Sequence, residues 1–151
     1  MSTTDSGPDP GPSSVAENAA PGKEPRTLAP GGRHRVLVVD DNQDGAESMT
    51  FLLRAMGQDA TMALDGEQAL ELAVSFQPDV VLMDIGLPRL NGYDAGRRIR
   101  EMPGGDRVVL VALTGWGQDD DRRQSREAGF DHHWVKPVDL QVLRELLGVR
   151  G

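Results

Sequence analysis

The run from Val80 to Asp84 constrains the fold of this chain more than any other stretch. Four apolar residues lead directly to one carboxylate, and a turn containing glycine and proline follows. A short, continuous apolar run between turn residues is typical of a strand buried on both faces of a parallel sheet. Asp84 then lies at the carboxyl end of that strand, the edge at which open α/β sheets bind ligands. Taken alone, Asp84 could equally cap an ordinary loop.

The same combination of an apolar run and a polar end recurs along the chain. Further strands are predicted over 35–39, 60–64, 108–114 and 133–136, and stretches with helical periodicity separate them. Five β-α repeats predict an α/β fold of the flavodoxin-like (βα)5 type, a three-layer sandwich with helices on both faces of a parallel sheet. The expected strand order is 2-1-3-4-5, which places the switch point between the first and third strands.

Composition narrows the class of protein. The chain has 151 residues and a formal net charge of −8, which suits one domain and offers no basic surface for nucleic acid. The absence of cysteine excludes disulfides and thiolate metal sites. The N-terminus lacks the pattern of a signal peptide, and no apolar run has the length of a membrane helix. We therefore expect a cytoplasmic protein that binds neither nucleic acid nor membranes.

Residues 1–33 differ in composition from the rest of the chain. They contain six of the ten prolines and few large aliphatic side chains, and their charges nearly cancel. Such a segment buries too little apolar surface to offset the entropy lost on ordering. We predict a disordered tail over 1–33 and a single domain over 34–151. We also expect that deletion of the tail leaves the stability of the domain unchanged.

Polar residues end four of the predicted strands at one edge of the sheet. Asp40 and Asp41 follow the first strand, Asp84 ends the third, Thr114 the fourth and Lys136 the fifth. Three neighbouring carboxylates repel one another unless a proton or a cation compensates, and hard oxygen ligands with room for water suit Mg²⁺. A lysine and a hydroxyl beside such a site indicate the handling of a phosphoryl group, with a carboxylate as nucleophile. Each residue alone is equally compatible with a turn or a cap.

From about Arg35 to Leu147 the chain resembles the CheY-like receiver domains of two-component response regulators. The resemblance depends on several motifs that occur together and in the family's order. The sequence around Asp84 and Thr114 is also similar to that of receivers fused to hybrid histidine kinases. The motifs are Asp40-Asp41, Asp84 followed by Leu87-Pro88 and Asn91-Gly92, Ala112-Leu113-Thr114-Gly115 with Trp116-Gly117, and Lys136-Pro137.

The resemblance implies a role for each residue at the predicted edge. Asp84 would accept the phosphoryl group from a phosphohistidine on a histidine kinase or a phosphotransfer protein. Lys136 and Thr114 would contact the phosphoryl oxygens. The three carboxylates and the backbone carbonyl of Gly86 would hold Mg²⁺. Such a protein is no ordinary enzyme: it catalyses its own phosphorylation and dephosphorylation, and it acts as a single-domain phosphorelay or signalling switch.

One position departs from the family's pattern. Receivers usually carry Tyr or Phe three residues before the lysine, where this chain has His133. In the family this aromatic residue and the threonine matching Thr114 report phosphorylation at the surface formed by the fourth helix, the fifth strand and the fifth helix. We expect a downstream protein partner to meet that surface, with Thr114 and His133 as the switch residues.

Two other classes of protein stay open. A haloacid-dehalogenase-like phosphatase also combines an Asp nucleophile with Thr, Lys and Mg²⁺, but it needs a second carboxylate two residues on, where this chain has Gly86. A pseudo-receiver would be a binding module that never accepts phosphate, and it would have no need of the full set of polar residues. Treatment with a small phosphoryl donor separates the three classes.

Overall fold

The computed structural model describes residues 26–28, 32–86, 91–115 and 119–148. The motif residues Leu87-Pro88 and Trp116-Gly117 lie outside these ranges. Within them, five strands alternate with five helices, and a 3-10 turn over Gly105–Arg107 precedes the fourth strand. The strands are β1 (Arg35–Val39), β2 (Asp59–Ala63), β3 (Val80–Asp84), β4 (Val109–Thr114) and β5 (His132–Val135). The helices are α1 (Gln43–Ala55), α2 (Gly66–Ser75), α3 (Gly92–Glu101), α4 (Asp119–Glu127) and α5 (Leu140–Leu147).

The strands form one parallel sheet in the order β2-β1-β3-β4-β5. This order confirms the predicted flavodoxin-like fold. Since the chain moves outward from β1 to β2 on one side and from β3 to β5 on the other, the carboxyl ends of β1 and β3 flank the switch point. Asp84 is the last residue of β3, opposite Leu113 of β4.

Two hydrophobic clusters hold the layers together, one on each face of the sheet. The side chains of β1 alternate between them: Leu37 and Val39 join the cluster beneath α2 and α3, while Val36 and Val38 join the cluster beneath α1 and α5. All four are buried. Because both faces of the inner strands are covered, these strands read in the sequence as unbroken apolar runs.

Side-chain caps fix where the helices begin. Asn42, Asp65, Asn91 and Asp139 each accept a hydrogen bond from a backbone N–H in the first turn of α1, α2, α3 and α5. Gly57, just after α1, has a φ of 88°, a left-handed conformation that favours glycine. None of the helices in the described ranges is long and apolar enough to cross a membrane.

The predicted tail is described only at residues 26–28 and 32–33. Arg26 pairs with Asp131, and Leu28 packs against the cluster beneath α1 and α5. Residues 1–25 and 29–31 lie outside the described residues. The boundary between residues 33 and 34 therefore stays a prediction, and the contacts of Arg26 and Leu28 bear directly on it.

Candidate functional site

Three carboxylates meet at the edge of the sheet where β1 and β3 end. Asp84 ends β3, and Asp40 and Asp41 follow β1 directly. One oxygen from each carboxylate lies within 4.8 Å of the others. Asp40 and Asp84 are half-buried, whereas Asp41 is exposed. The parallel topology thus brings together the three acidic residues that the sequence places at the ends of separate strands.

Backbone amides orient two of these carboxylates. Oδ1 of Asp40 accepts a hydrogen bond from the N–H of Asn42 at 3.0 Å, and Oδ1 of Asp84 accepts one from the N–H of Gly86 at 2.9 Å. The second oxygen, Oδ2, of each carboxylate contacts the same lysine. The turn after each strand therefore fixes one oxygen of the carboxylate and leaves the other to face a cation.

Lys136 lies between the two oriented carboxylates. Its Nζ is 3.3 Å from Oδ2 of Asp40 and 3.2 Å from Oδ2 of Asp84. Burial alone would lower the pKa of Lys136, but the negative charges of Asp84 and Asp40 outweigh it and raise that pKa above its ordinary value. The ammonium group is therefore a fixed positive charge at neutral pH, although it is only partly shielded from water.

Thr114 and His133 lie on the strands next to the carboxylates. Thr114 ends β4 and is buried, and its carbonyl accepts a hydrogen bond from the N–H of Lys136 at 2.7 Å. His133 pairs with Ala112 across β4 and β5, and its Nδ1 is 3.1 Å from the hydroxyl oxygen of Ser125 on α4. Ser125 is buried, and no sequence pattern had singled it out.

Gly92 has a structural role that the sequence reasoning missed. A Cβ at this position would lie 2.7 Å from the backbone oxygen of Asp84 and 2.8 Å from Cα of Ile85. The N–H of Gly92 also donates to the carbonyl of Ile85 at 3.2 Å. Only glycine lets the start of α3 approach the backbone of the Asp84 turn so closely. The adjacent cap residue Asn91 was the available signal, because it marked a helix start directly after the turn.

The charges of the site suit a hard divalent cation. Three carboxylates share the site with one ammonium group, so negative charge is in formal excess. The donors are all carboxylate oxygens, the ligands that Mg²⁺ prefers, and the exposure of Asp41 leaves room for water. The donor set therefore fits the magnesium ion predicted from the sequence.

Comparison with known families agrees with the geometry. The family model described as "Response regulator receiver domain" matches residues 36–148, which include both acidic segments, Thr114 and Lys136. The chain belongs to the family of response regulator receiver domains. Its class is therefore that of phosphoacceptor signalling domains of two-component systems.

Three similar proteins illustrate this membership. The chain is 33% identical to the receiver domain of the sensor histidine kinase PA1611 from Pseudomonas aeruginosa, crystallised with a magnesium ion in its active-site cleft. The TM-score is 0.68, and the match covers 78% of this chain and 99% of that one. The likeness confirms the predicted resemblance to receivers carried by histidine kinases.

The other two similar proteins act in different settings. The receiver domain of Saccharomyces cerevisiae Ssk1, crystallised with the histidine phosphotransfer protein Ypd1, is 25% identical with a TM-score of 0.70; the match covers 80% of this chain and 89% of that one. The DNA-binding response regulator MtrA of Mycolicibacterium smegmatis is 40% identical over 111 residues, 74% of this chain. The match spans only 47% of MtrA, about half of its length.

Proposed function

We propose that this domain accepts a phosphoryl group on Asp84 and acts as a Mg²⁺-dependent switch or relay in a two-component system. The observation that carries the proposal is the position of the Lys136 ammonium, 3.2 Å from Oδ2 of Asp84 within a cluster of three carboxylates. A structural ion pair would need one carboxylate for one lysine. The surplus negative charge instead suits a site that binds a further positive charge.

Each residue of the site would have a separate role in phosphoryl transfer. An oxygen of Asp84 attacks the phosphorus of the donor's phosphohistidine, the N–P bond breaks, and the imidazole leaves with the electron pair. Lys136 exchanges a carboxylate contact for a phosphoryl oxygen and compensates its charge, while the Thr114 hydroxyl donates a hydrogen bond to another oxygen. Water later attacks the phosphorus, which releases phosphate and restores the carboxylate of Asp84.

The metal site is part of the same proposal. Asp40, Asp41, Asp84 and the backbone carbonyl of Gly86 would hold Mg²⁺, which when bound neutralises charge on the phosphoryl oxygens. Support comes from the 4.8 Å cluster of carboxylate oxygens. Further support comes from the magnesium ion in the cleft of the similar PA1611 receiver.

The partners follow from the direction of transfer. The phosphoryl donor would be a cytoplasmic histidine kinase or histidine phosphotransfer protein. The complex of the similar Ssk1 receiver with the phosphotransfer protein Ypd1 supports the second of these. Thr114 and His133 would carry the signal to the face formed by α4, β5 and α5. The Ser125–His133 hydrogen bond places the imidazole beside α4, so a movement of His133 on phosphorylation would alter this contact.

A single experiment tests the proposal against both rival classes. The purified chain is incubated with acetyl phosphate or phosphoramidate, with and without Mg²⁺, and its intact mass and the released phosphate are followed over time. We expect one phosphoryl adduct per chain that forms only with Mg²⁺. Rapid turnover without an adduct would indicate a phosphatase, and neither adduct nor turnover would indicate a binding module.

A further inference from the structure

Asp131 is a buried carboxylate at the edge of the sheet opposite Asp84. Its side chain is 2% exposed, and it lies directly before β5. Oδ2 accepts hydrogen bonds from the guanidinium of Arg100 at 2.7 Å and from the N–H of Leu110 at 2.9 Å. Since a buried charge is costly unless its oxygens are satisfied, Oδ1 requires a donor of its own.

Arg26 supplies that donor from the far end of the chain. Both its backbone N–H and its guanidinium donate to Oδ1 of Asp131, at 2.9 and 3.0 Å. Its Nε donates to the carbonyl of Asp106 in the 3-10 turn. Arg26, which precedes β1 in the sequence, thus uses its main chain and its side chain together to contact the start of β5. A loosely held surface charge does not adopt this geometry.

The next two residues continue the contact. Leu28 is half-buried and packs against the cluster beneath α1 and α5. Thr27 and Leu28 also form part of the wall of a cavity of about 670 Å³, which Met102 and Val108 help to line. The segment therefore covers apolar surface as well as satisfying a buried carboxylate.

We propose that Arg26, Thr27 and Leu28 form a strap that belongs to the folded domain and clamps the amino-terminal end of β5. This strand spans four residues, at the sheet's edge, and pairs only with β4 within the described sheet. Few ladder bonds hold such a strand, so a second anchor has a large effect on its opening. The strap supplies that anchor, on the edge remote from Asp84.

The strap has a consequence for the switch. β5 carries His133 and leads directly to Lys136. A strap that docks and releases alters the opening of this strand from the end opposite the carboxylates. The strap stands on its own contacts and does not depend on phosphoryl transfer.

Hydrogen exchange of the full chain, followed by mass spectrometry, tests the strap. The variant is Arg26→Ala, which leaves Asp131 paired with Arg100 and so preserves the fold. The matched control is Arg33→Ala, which removes an exposed arginine seven positions later. β2, the other edge strand, is the internal reference. We expect the β5 amides of Arg26→Ala to exchange roughly fivefold faster than in the parent, with Arg33→Ala and β2 unchanged.

Two results would overturn the proposal. Equal exchange of β5 in Arg26→Ala and Arg33→Ala would show that the contacts do not restrain the strand. Equal acceleration of β2 and β5 in Arg26→Ala would show a general loss of stability rather than a clamp. A second variant, Leu28→Ala, isolates the apolar part of the strap, and we expect faster exchange of β5 relative to β2, by a smaller factor than in Arg26→Ala.

Discussion

Aspartate side chains have opposite environments at the two edges of the sheet. At the carboxyl edge, Asp40 and Asp84 contact one partly exposed lysine, and Asp41 lies beside them. At the amino edge, the single carboxylate of Asp131 is buried between Arg26 and Arg100. At the first edge three carboxylates outnumber one ammonium, whereas at the second the buried carboxylate contacts two guanidinium groups.

This difference separates the proposed phosphoacceptor cluster from a structural one. Every oxygen of Asp131 has a donor within the described residues, so the group has nothing left to bind. The carboxyl edge keeps surplus negative charge and an exposed aspartate, which suits it to a metal ion and a phosphoryl group. Charge balance and burial, more than residue type, distinguish the two.

The largest expected effect is at the amino edge. Asp131→Asn leaves two arginines and the N–H of Leu110 without their anionic acceptor in a buried site. We expect the free energy of unfolding to fall by about 3 kcal/mol, because breaking a buried ion pair leaves an uncompensated charge. Chemical denaturation monitored by circular dichroism measures this loss.

The control for Asp131→Asn is an exposed pair of the same type. Asp94 and Arg97 lie 2.8 Å apart on α3, with side chains 48% and 49% exposed. Asp94→Asn should change the free energy of unfolding by less than about 1 kcal/mol, since exposed pairs contribute little. Similar losses in the two variants would contradict the structural role given to Asp131.

The carboxyl edge should respond with the opposite sign. Asp41→Asn removes one of three crowded negative charges, and Asp41 lies outside the contacts that Lys136 makes. In metal-free, low-salt buffer we expect the free energy of unfolding to rise by about 0.5 kcal/mol. Thermal melts of the parent, Asp41→Asn and the control Glu71→Gln measure this effect, because Glu71→Gln removes an exposed charge far from the cluster.

Adding Mg²⁺ gives a second comparison between Asp41→Asn and the parent. Mg²⁺ should raise the melting temperature of the parent and of Glu71→Gln more than that of Asp41→Asn, since the last lacks one ligand. An Asp41→Asn variant that melts below the parent without metal would argue against repulsion in the cluster.

The smallest expected effect is a pH dependence at the amino edge. Burial lowers the pKa of His132, and the charge of Asp131 and the hydrogen bond to Arg26 only partly oppose it. As pH falls below about 6.5, the unfolded chain takes up this proton first, so His132 lowers the stability of the fold from there down to its folded pKa. Above about 6.5 it contributes no such loss.

Denaturation at several pH values checks this prediction. Between pH 7.5 and pH 5.5, His132→Gln should lose less stability than the parent. The other two histidines are common to both proteins, so their contributions cancel in the difference. Identical pH profiles for the two proteins would show that His132 does not contribute to the pH dependence of stability.

Local sequence patterns predict much of this fold. Apolar runs marked the strands and helical periodicity marked the helices, because both signals depend on residues a few positions apart. The convergence of Asp40, Asp41 and Asp84 followed from topology, since parallel strands deliver their ends to one edge. The predicted fifth strand begins one residue earlier in the structure, at His132.

The amino edge could not be predicted in the same way. The pair between Arg26 and Asp131 joins residues 105 positions apart, and nothing local to either residue marks a partner. The compositional signal around Arg26 indicated disorder, which describes the average of a segment and not one anchored residue. The close approach of Gly92 to Asp84 was equally hidden, because it depends on the packing of α3 against the turn.

The central claim is that Asp84 is the single phosphoacceptor. The direct measurement is to phosphorylate the chain with acetyl phosphate and Mg²⁺, reduce the acyl phosphate with borohydride, and locate the modified residue by peptide mass spectrometry. We expect the modification at Asp84 alone, and no adduct in Asp84→Asn although that variant stays folded by circular dichroism. Modification at Asp40 or Asp41 in the parent, or full-rate labelling of Asp84→Asn, would contradict the claim.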